Sequence, residues 1–308
     1  MKLGLTPWLP RDRTAAGLSD QAARAEALGY DSFWLPENHF NEDAIPDPLM
    51  LLAAVAAATS RIRLATTSYL LPLRHPLQAA EQVAVLDQLC NGRVILGVGR
   101  GYAAPMLRAF NVLPRDKRTL FEACLEIMLR AWSGAPVLVE EGSEHAVSVA
   151  PLPVQKPHPP VWVAAFGPKA LAQAGRLGLP YLASPVEPIA VLEENYRLHR
   201  GALASAGRPL PDEVPLMRAL FVTGAAAETR ALREVMQTQA RSSGRLPEDA
   251  DVEDWTIVGE ASYVAERVAE YRERLGMTHL VIARLRSGGL DPARVERSVA
   301  RAAEILLG

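Results

Sequence analysis

Four apolar runs centred on Leu5, Phe33, Leu64 and Ile95 recur 28, 31 and 31 residues apart, and that spacing constrains the fold more than any other feature of the chain. The interval holds one strand, one helix and two short connections. It is too long for a hairpin, so successive strands lie parallel with a helix crossing between them. The runs cover residues 2–8, 31–35, 62–71 and 93–98. Helical stretches separate them: one opening at a Ser19 N-cap and closing at Gly29, one over 48–58, and one from Pro76 to Asn91-Gly92.

Beyond residue 100 the period loosens. A helix is expected over 115–132, then a valine-rich hairpin insertion over 136–149. Pro151, Pro153, Pro157, Pro159 and Pro160 then hold off regular structure until a strand at 161–165. Further strands are expected at 181–184, 216–223 and 279–284. The last helix starts at Asp291-Pro292 and carries Val295, Val299, Ala302 and Leu306 on one face. Residues 242–254 are polar, acidic and without pattern, which reads as a lid or a disordered loop. Eight strand–helix units point to an α/β fold, a (β/α)8 TIM barrel with insertions in a single domain spanning 1–308. The strand count favours this over a doubly wound open sheet.

A formal charge of −2 argues against a polyanion-binding surface, so no nucleic-acid partner is expected. Two cysteines, Cys90 and Cys124, cannot build a disulfide framework or a zinc ribbon. No run approaches the roughly 20 apolar residues of a membrane span, and residues 1–7 lack the apolar core of a signal peptide. These features suggest a cytoplasmic protein with no membrane partner. His145, His158, His199 and His279 show no ligand spacing, so no metal is expected.

In a barrel, chemistry sits at the C-terminal ends of the strands. Strand two ends in Glu37-Asn38-His39-Phe40. His39 there could donate to a substrate oxygen or move a proton, although a loop histidine bonded to backbone has the same sequence signature. His75, before Pro76, reads as a packing or capping residue. Strand four ends in Gly97-Val98-Gly99-Arg100-Gly101-Tyr102. This is not a dinucleotide fingerprint: the third glycine is missing and Pro105 interrupts the helix that should follow. What remains is a glycine turn presenting Arg100, suited to a phosphate or carboxylate or to a salt bridge with a neighbouring loop. Strand five ends in Phe166-Gly167-Pro168-Lys169, a helix start whose free N–H groups could meet an anion.

Together these segments resemble the bacterial luciferase-like flavin oxidoreductases. The likeness runs through Leu35-Pro36-Glu37-Asn38-His39-Phe40, Leu71-Pro72, His75-Pro76, Glu81, Leu86-Asp87, Asn91-Gly92-Arg93 and Gly99-Arg100-Gly101-Tyr102. It continues in Phe110-Asn111-Val112, Phe121-Glu122, residues 159–179 and Val258-Gly259, covering nearly the whole chain. The resemblance implies a (β/α)8 barrel holding reduced FMN, or its deazaflavin analogue, with the ring against Thr67-Ser68 at a non-prolyl cis peptide. It implies a phosphate held by Arg100 and by the Gly167-Pro168-Lys169 helix start, with Tyr102 and Phe166 beside these two segments. His39 and its neighbour Asn38 fall at the reactive edge of the ring.

Two departures narrow the family reading. Luciferases proper have adjacent histidines where this chain has Asn38-His39, and the deazaflavin branch has a tryptophan and a glutamate where it has Asp43 and Tyr102. The expectation is an FMN-dependent monooxygenase that oxidises a small organic substrate, supplied with reduced flavin by a separate reductase. The resemblance also implies a homodimer formed through helices beside the first four strands. The alternatives are deazaflavin-dependent hydride transfer and a non-catalytic flavin-binding protein.

Overall fold

The computed structural model describes residues 1–9, 12–42, 44–138, 145–243, 250–285 and 290–308. Strands and helices alternate through the first hundred: β1 (Lys2–Leu5), α1 (Ala15–Ala27), β2 (Ser32–Leu35), α2 (Pro48–Ala58), β3 (Arg63–Thr66), β4 (Tyr69–Leu70), α3 (Pro76–Leu89) and β5 (Val94–Gly99). There follow α4 (Ala104–Ala109), α5 (Lys117–Trp132), the short β6 (Val137–Leu138) and β7 (Ala146–Val147), and β8 (Val161–Ala164). The remainder comprises α6 (Pro168–Arg176), β9 (Tyr181–Leu182), α7 (Ile189–Ser205), β10 (Pro215–Val222) and α8 (Ala226–Ser243). The chain closes with α9 (Val252–Trp255), β11 (Thr256–Gly259), α10 (Ala261–Leu275), β12 (His279–Ala283) and α11 (Pro292–Leu307).

The chain divides into two compact units, residues 1–12, 24–34 and 165–308 in one and 13–23 and 35–164 in the other. In the first, parallel strands run in the order β11-β10-β12-β1-β2. Every residue of β10 is buried, as expected of a parallel strand covered on both faces. Its Arg218 is fully buried yet satisfied, donating to the Tyr271 hydroxyl at 2.9 Å and to the carbonyls of Ser184, Met217 and Glu187 at 2.9, 3.1 and 2.5 Å.

In the second unit, β5 lies between β3 and β8, with β4 also paired to it. The expected hairpin insertion is present as the antiparallel pair β6–β7, although its tip at 139–144 lies outside the described residues. Arg93 staples this unit. It donates to the carbonyls of Cys90 (2.8 Å), Ile62 (2.7 Å), Ala56 (3.1 Å) and Thr59 (3.0 Å) and to the Thr59 hydroxyl (3.0 Å). All but the Ile62 carbonyl, which precedes β3, lie at the ends of α2 and α3, where carbonyls lack helical partners and a cation suits the helix dipole.

Several boundaries differ from the sequence reading. Helix α1 begins at Ala15, because Thr14 Oγ1 accepts the Gly17 N–H at 3.1 Å, leaving Ser19 inside the helix. The third run breaks at Thr67-Ser68 into β3 and β4, and a 3₁₀ turn takes Leu71–Leu73. Pro105 does not interrupt a helix: it sits in the first turn of α4, where its missing N–H has no helical partner to lose. Strand β11 was not anticipated. Of the expected lid at 242–254, residues 244–249 lie outside the described residues. The last part is packed: Asp251 caps α9, and Ala250, Val252 and Trp255 join a core with Phe221, Leu232, Met236 and Val258. Cys90 and Cys124 are free thiols, both buried. Among the described residues no helix is long and apolar enough to cross a membrane, and no cluster of His, Cys, Asp and Glu is placed to hold a metal ion.

Arg93→Ala is expected to cost about 2–4 kcal/mol, less than five average hydrogen bonds because the freed carbonyls regain water. Urea unfolding should show a lower midpoint at unchanged slope. A loss below about 0.5 kcal/mol would remove Arg93 as the staple.

Candidate active site

The segment after β2 carries an acidic and an imidazole side chain two residues apart. These are Glu37 and His39, with His39 Nε2 2.9 Å from Glu37 Oε1. The Glu37 side chain is fully buried, and its other oxygen accepts the Leu70 N–H at 2.9 Å. Arg74 Nη2 lies 2.7 Å from Oε1, but neither Nη2 nor Nε makes an aligned hydrogen bond, so this is an ion pair by proximity. The Arg74 guanidinium also sits 4.5 Å over the Tyr69 ring. One carboxylate thus joins the loop after β2 to β4 and the segment after it.

Phe110, the residue that ends α4, meets the His39 ring edge-on at 4.8 Å. Phe40 stacks on Phe110 at 5.5 Å and is 70% exposed, so one side of His39 is an aromatic wall that opens to solvent. Asn38 holds the loop closed: its N–H donates to the Ile45 carbonyl at 3.1 Å and its Oδ1 accepts the Ile45 N–H at 2.8 Å. His75 takes the N-cap position of α3, but its side chain makes no capping bond.

The peptide between Thr67 and Ser68 is cis. It stands between β3 and β4, with the Thr67 N–H donating to the Leu35 carbonyl at 2.8 Å. Gly99 is forced by close approach: a Cβ there would lie 2.1 Å from Ser68 Oγ and 2.9 Å from Ser68 Cβ. That contact and the Leu70–Gly99 register place the cis peptide against the turn that carries Arg100.

Arg100 is buried and donates to the Ala164 carbonyl at 3.0 Å, with its guanidinium 5.4 Å from the Phe121 ring. Lys117, in the first turn of α5, donates to the Gly101 carbonyl at 3.2 Å. Burial, and secondarily the Arg118 guanidinium, pull Arg100 down to about 10, so it is cationic at neutral pH. Burial, then Arg100 and Arg118, lower Lys117 as well. Three cations gathered at one glycine turn are what an anion would stabilise, and a guanidinium suits phosphate. The residues present therefore fit a phosphorylated flavin. Tyr102 projects from the same turn, 76% exposed.

The remaining expected residues lie in the other unit. Gly167, at φ 81°, opens α6, Pro168 occupies its first turn, and Lys169 and Phe166 are exposed. The second unit brings together His39, Asn38, Thr67, Ser68, Arg100 and Tyr102, and it adds Glu37, Arg74, Phe110, Lys117 and Arg118 to the sequence-derived set. Of these, Glu37 and Phe110 had a signal in sequence: both lie in segments that carry the family resemblance.

The model of the luciferase-like monooxygenase family matches residues 4–279, and the chain belongs to that family. It is 31% identical over 238 residues to protein y4vJ of Sinorhizobium fredii, covering 74% of this chain and 66% of that one. It is 28% identical over 183 residues to the alkanal monooxygenase alpha chain of the Kryptophanaron alfredi symbiont, covering 58% and 51%. The chain thus spans between about half and two thirds of the length of these curated relatives. Among solved structures, monooxygenase RslO1 from Streptomyces bottropensis superposes with a TM-score of 0.83 at 26% identity, covering 100% of this chain and 99% of that one. Two further structures share the fold. One is the FMN-bound oxygenating constituent of 3,6-diketocamphane monooxygenase from Pseudomonas putida (TM-score 0.79, 20% identity, 99% and 97% covered). The other is an F420-dependent secondary alcohol dehydrogenase (TM-score 0.78, 17% identity, 99% and 98% covered). The fold is accordingly the parallel α/β architecture of the luciferase-like TIM-barrel structures.

Gly99→Ala is expected to cost about 1–3 kcal/mol through overpacking against Ser68. Adding Ser68→Gly should recover most of that loss in a double-mutant cycle followed by urea unfolding. Additive effects would show that the two residues do not meet.

Proposed function

We propose that this chain is a flavin-dependent monooxygenase that uses reduced FMN and O2 to oxidise a small organic substrate. It would form one (β/α)8 barrel with the β6–β7 hairpin as an insertion. Membership of the luciferase-like monooxygenase family supports the oxidoreductase class. The observation that carries the choice of cofactor is the buried Arg100 beside Lys117 and Arg118, a cation cluster suited to a simple monophosphate.

When bound, reduced FMN supplies the two electrons that activate O2, the part of the chemistry a protein side chain cannot do. In this reading Arg100, with Lys117 and Arg118, grips the phosphate. Thr67, Ser68 and Tyr102 would be among the residues that hold the cofactor. Phe166 and the Gly167-Pro168-Lys169 helix start are the remaining cofactor-binding residues that the family likeness implies. His39 holds or donates a proton at the reacting centre, with Asn38 shaping its loop, while Phe40 and Phe110 keep water from one side of the imidazole.

A separate reductase would supply the reduced flavin. Two copies would associate through α2 and α3, because α2 is apolar on every face yet leaves Met50 exposed, and α3 exposes Val85 and Leu89. A cytoplasmic location suits all of these. Deazaflavin-dependent hydride transfer is the second reading, supported only by the shared fold of the F420-dependent dehydrogenase.

A charge-assisted hydrogen bond is worth about 1.5–3 kcal/mol. Arg100→Ala should therefore weaken FMN by about ten- to a hundredfold, as read by flavin fluorescence titration, and leave riboflavin nearly unchanged. Equal weakening of both would mean that Arg100 serves the ring or the fold and not the phosphate.

A further inference from the structure

The mechanism above uses His39 but does not say which of its nitrogens is offered to the reaction. A carboxylate oxygen only accepts hydrogen bonds. With Nε2 2.9 Å from Glu37 Oε1, the imidazole must carry its proton on Nε2 when neutral, pointed into the protein. Nδ1 then has no partner among the described residues and is the atom left for chemistry. We propose that Glu37 is the positioning residue that locks His39 in the Nε2–H tautomer and presents Nδ1 to the substrate or cofactor.

Four features make this a built arrangement. Glu37 is fully buried, so its carboxylate cannot turn to water and must be satisfied where it is. Its second oxygen is taken by the Leu70 N–H at 2.9 Å, which fixes the plane of the carboxylate. Arg74 Nη2 lies 2.7 Å from the same Oε1 that meets His39, an ion pair that borders the carboxylate on a further side. Phe110 against the imidazole edge limits rotation from the other side. Among the described residues the ring is thus held by one hydrogen bond and one wall, and Nδ1 is the nitrogen without a partner.

Glutamine is the informative replacement. An amide has one acceptor oxygen where the carboxylate has two. If that oxygen serves Leu70, the NH2 group faces Arg74 and His39, and Nε2 must become an acceptor, moving the ring proton to Nδ1. If it serves His39, the buried Leu70 N–H faces another donor. Neither arrangement reproduces the wild-type lock.

The inference rests on His39 having a role in the reaction, but its test does not require turnover. Long-range ¹H–¹⁵N correlation spectra of the flavin-free protein, labelled at histidine and recorded at alkaline pH, report which nitrogen carries the proton. The His39 signals are those missing from His39→Ala. The wild type should show Nε2–H, Glu37→Gln should show a substantial Nδ1–H population, and Glu37→Asp, which keeps the carboxylate, should return toward Nε2–H. A wild-type Nδ1–H tautomer overturns the proposal whether or not the variants fold, as does a Glu37→Gln spectrum identical to wild type. If the tautomers behave as stated while His39→Ala turns over normally, the lock stands and the role of His39 in the reaction falls.

Discussion

The placing of His39 turns on one buried carboxylate. Glu37 is removed from solvent, and a buried anion persists only if partners replace the water it has lost. Its partners come from three places: His39 two residues on, the Leu70 N–H in β4, and Arg74 beyond the 3₁₀ turn. Loss of any one leaves charge uncompensated, so the end of β2 and the broken β3–β4 strand are held as one piece. The His39 ring inherits its orientation from that piece.

The glycine turn after β5 is fixed by a different force, steric fit. Ser68 fills the place where a Gly99 side chain would stand, so the cis peptide and the Arg100 turn are set by contact. Arg100 is then buried beside two other cations, an arrangement that repels itself and that an anion would relieve. Glu37, the partner of His39, accepts the Leu70 N–H in β4, and β4 pairs with β5, whose end carries Arg100.

The periodic part of the fold was legible because parallel strands buried on both faces demand unbroken apolar runs, and a helix must cross between them. Leu5, Phe33, Leu64 and Ile95 announce that pattern. Strand β11 escaped notice because its buried lead-in, Val252 and Trp255, stands among acidic residues that read as solvated loop. His39 and Arg100 were visible from their places at strand ends. Arg74 was not, since nothing local distinguishes an arginine after a 3₁₀ turn from any other, and Phe110 showed only as part of a family-like segment, with no sign that it would meet His39. Lys117 looked like an ordinary residue at a helix start, and only the fold brings it to Gly101.

The central claim is that this site takes reduced FMN in preference to a deazaflavin. Anaerobic equilibrium dialysis of the purified protein against the two reduced cofactors tests it directly. The account predicts that reduced FMN binds at least about tenfold more tightly, a difference of about 1.4 kcal/mol. Equal affinity, or tighter binding of the deazaflavin coenzyme, would contradict the monooxygenase reading and favour hydride transfer.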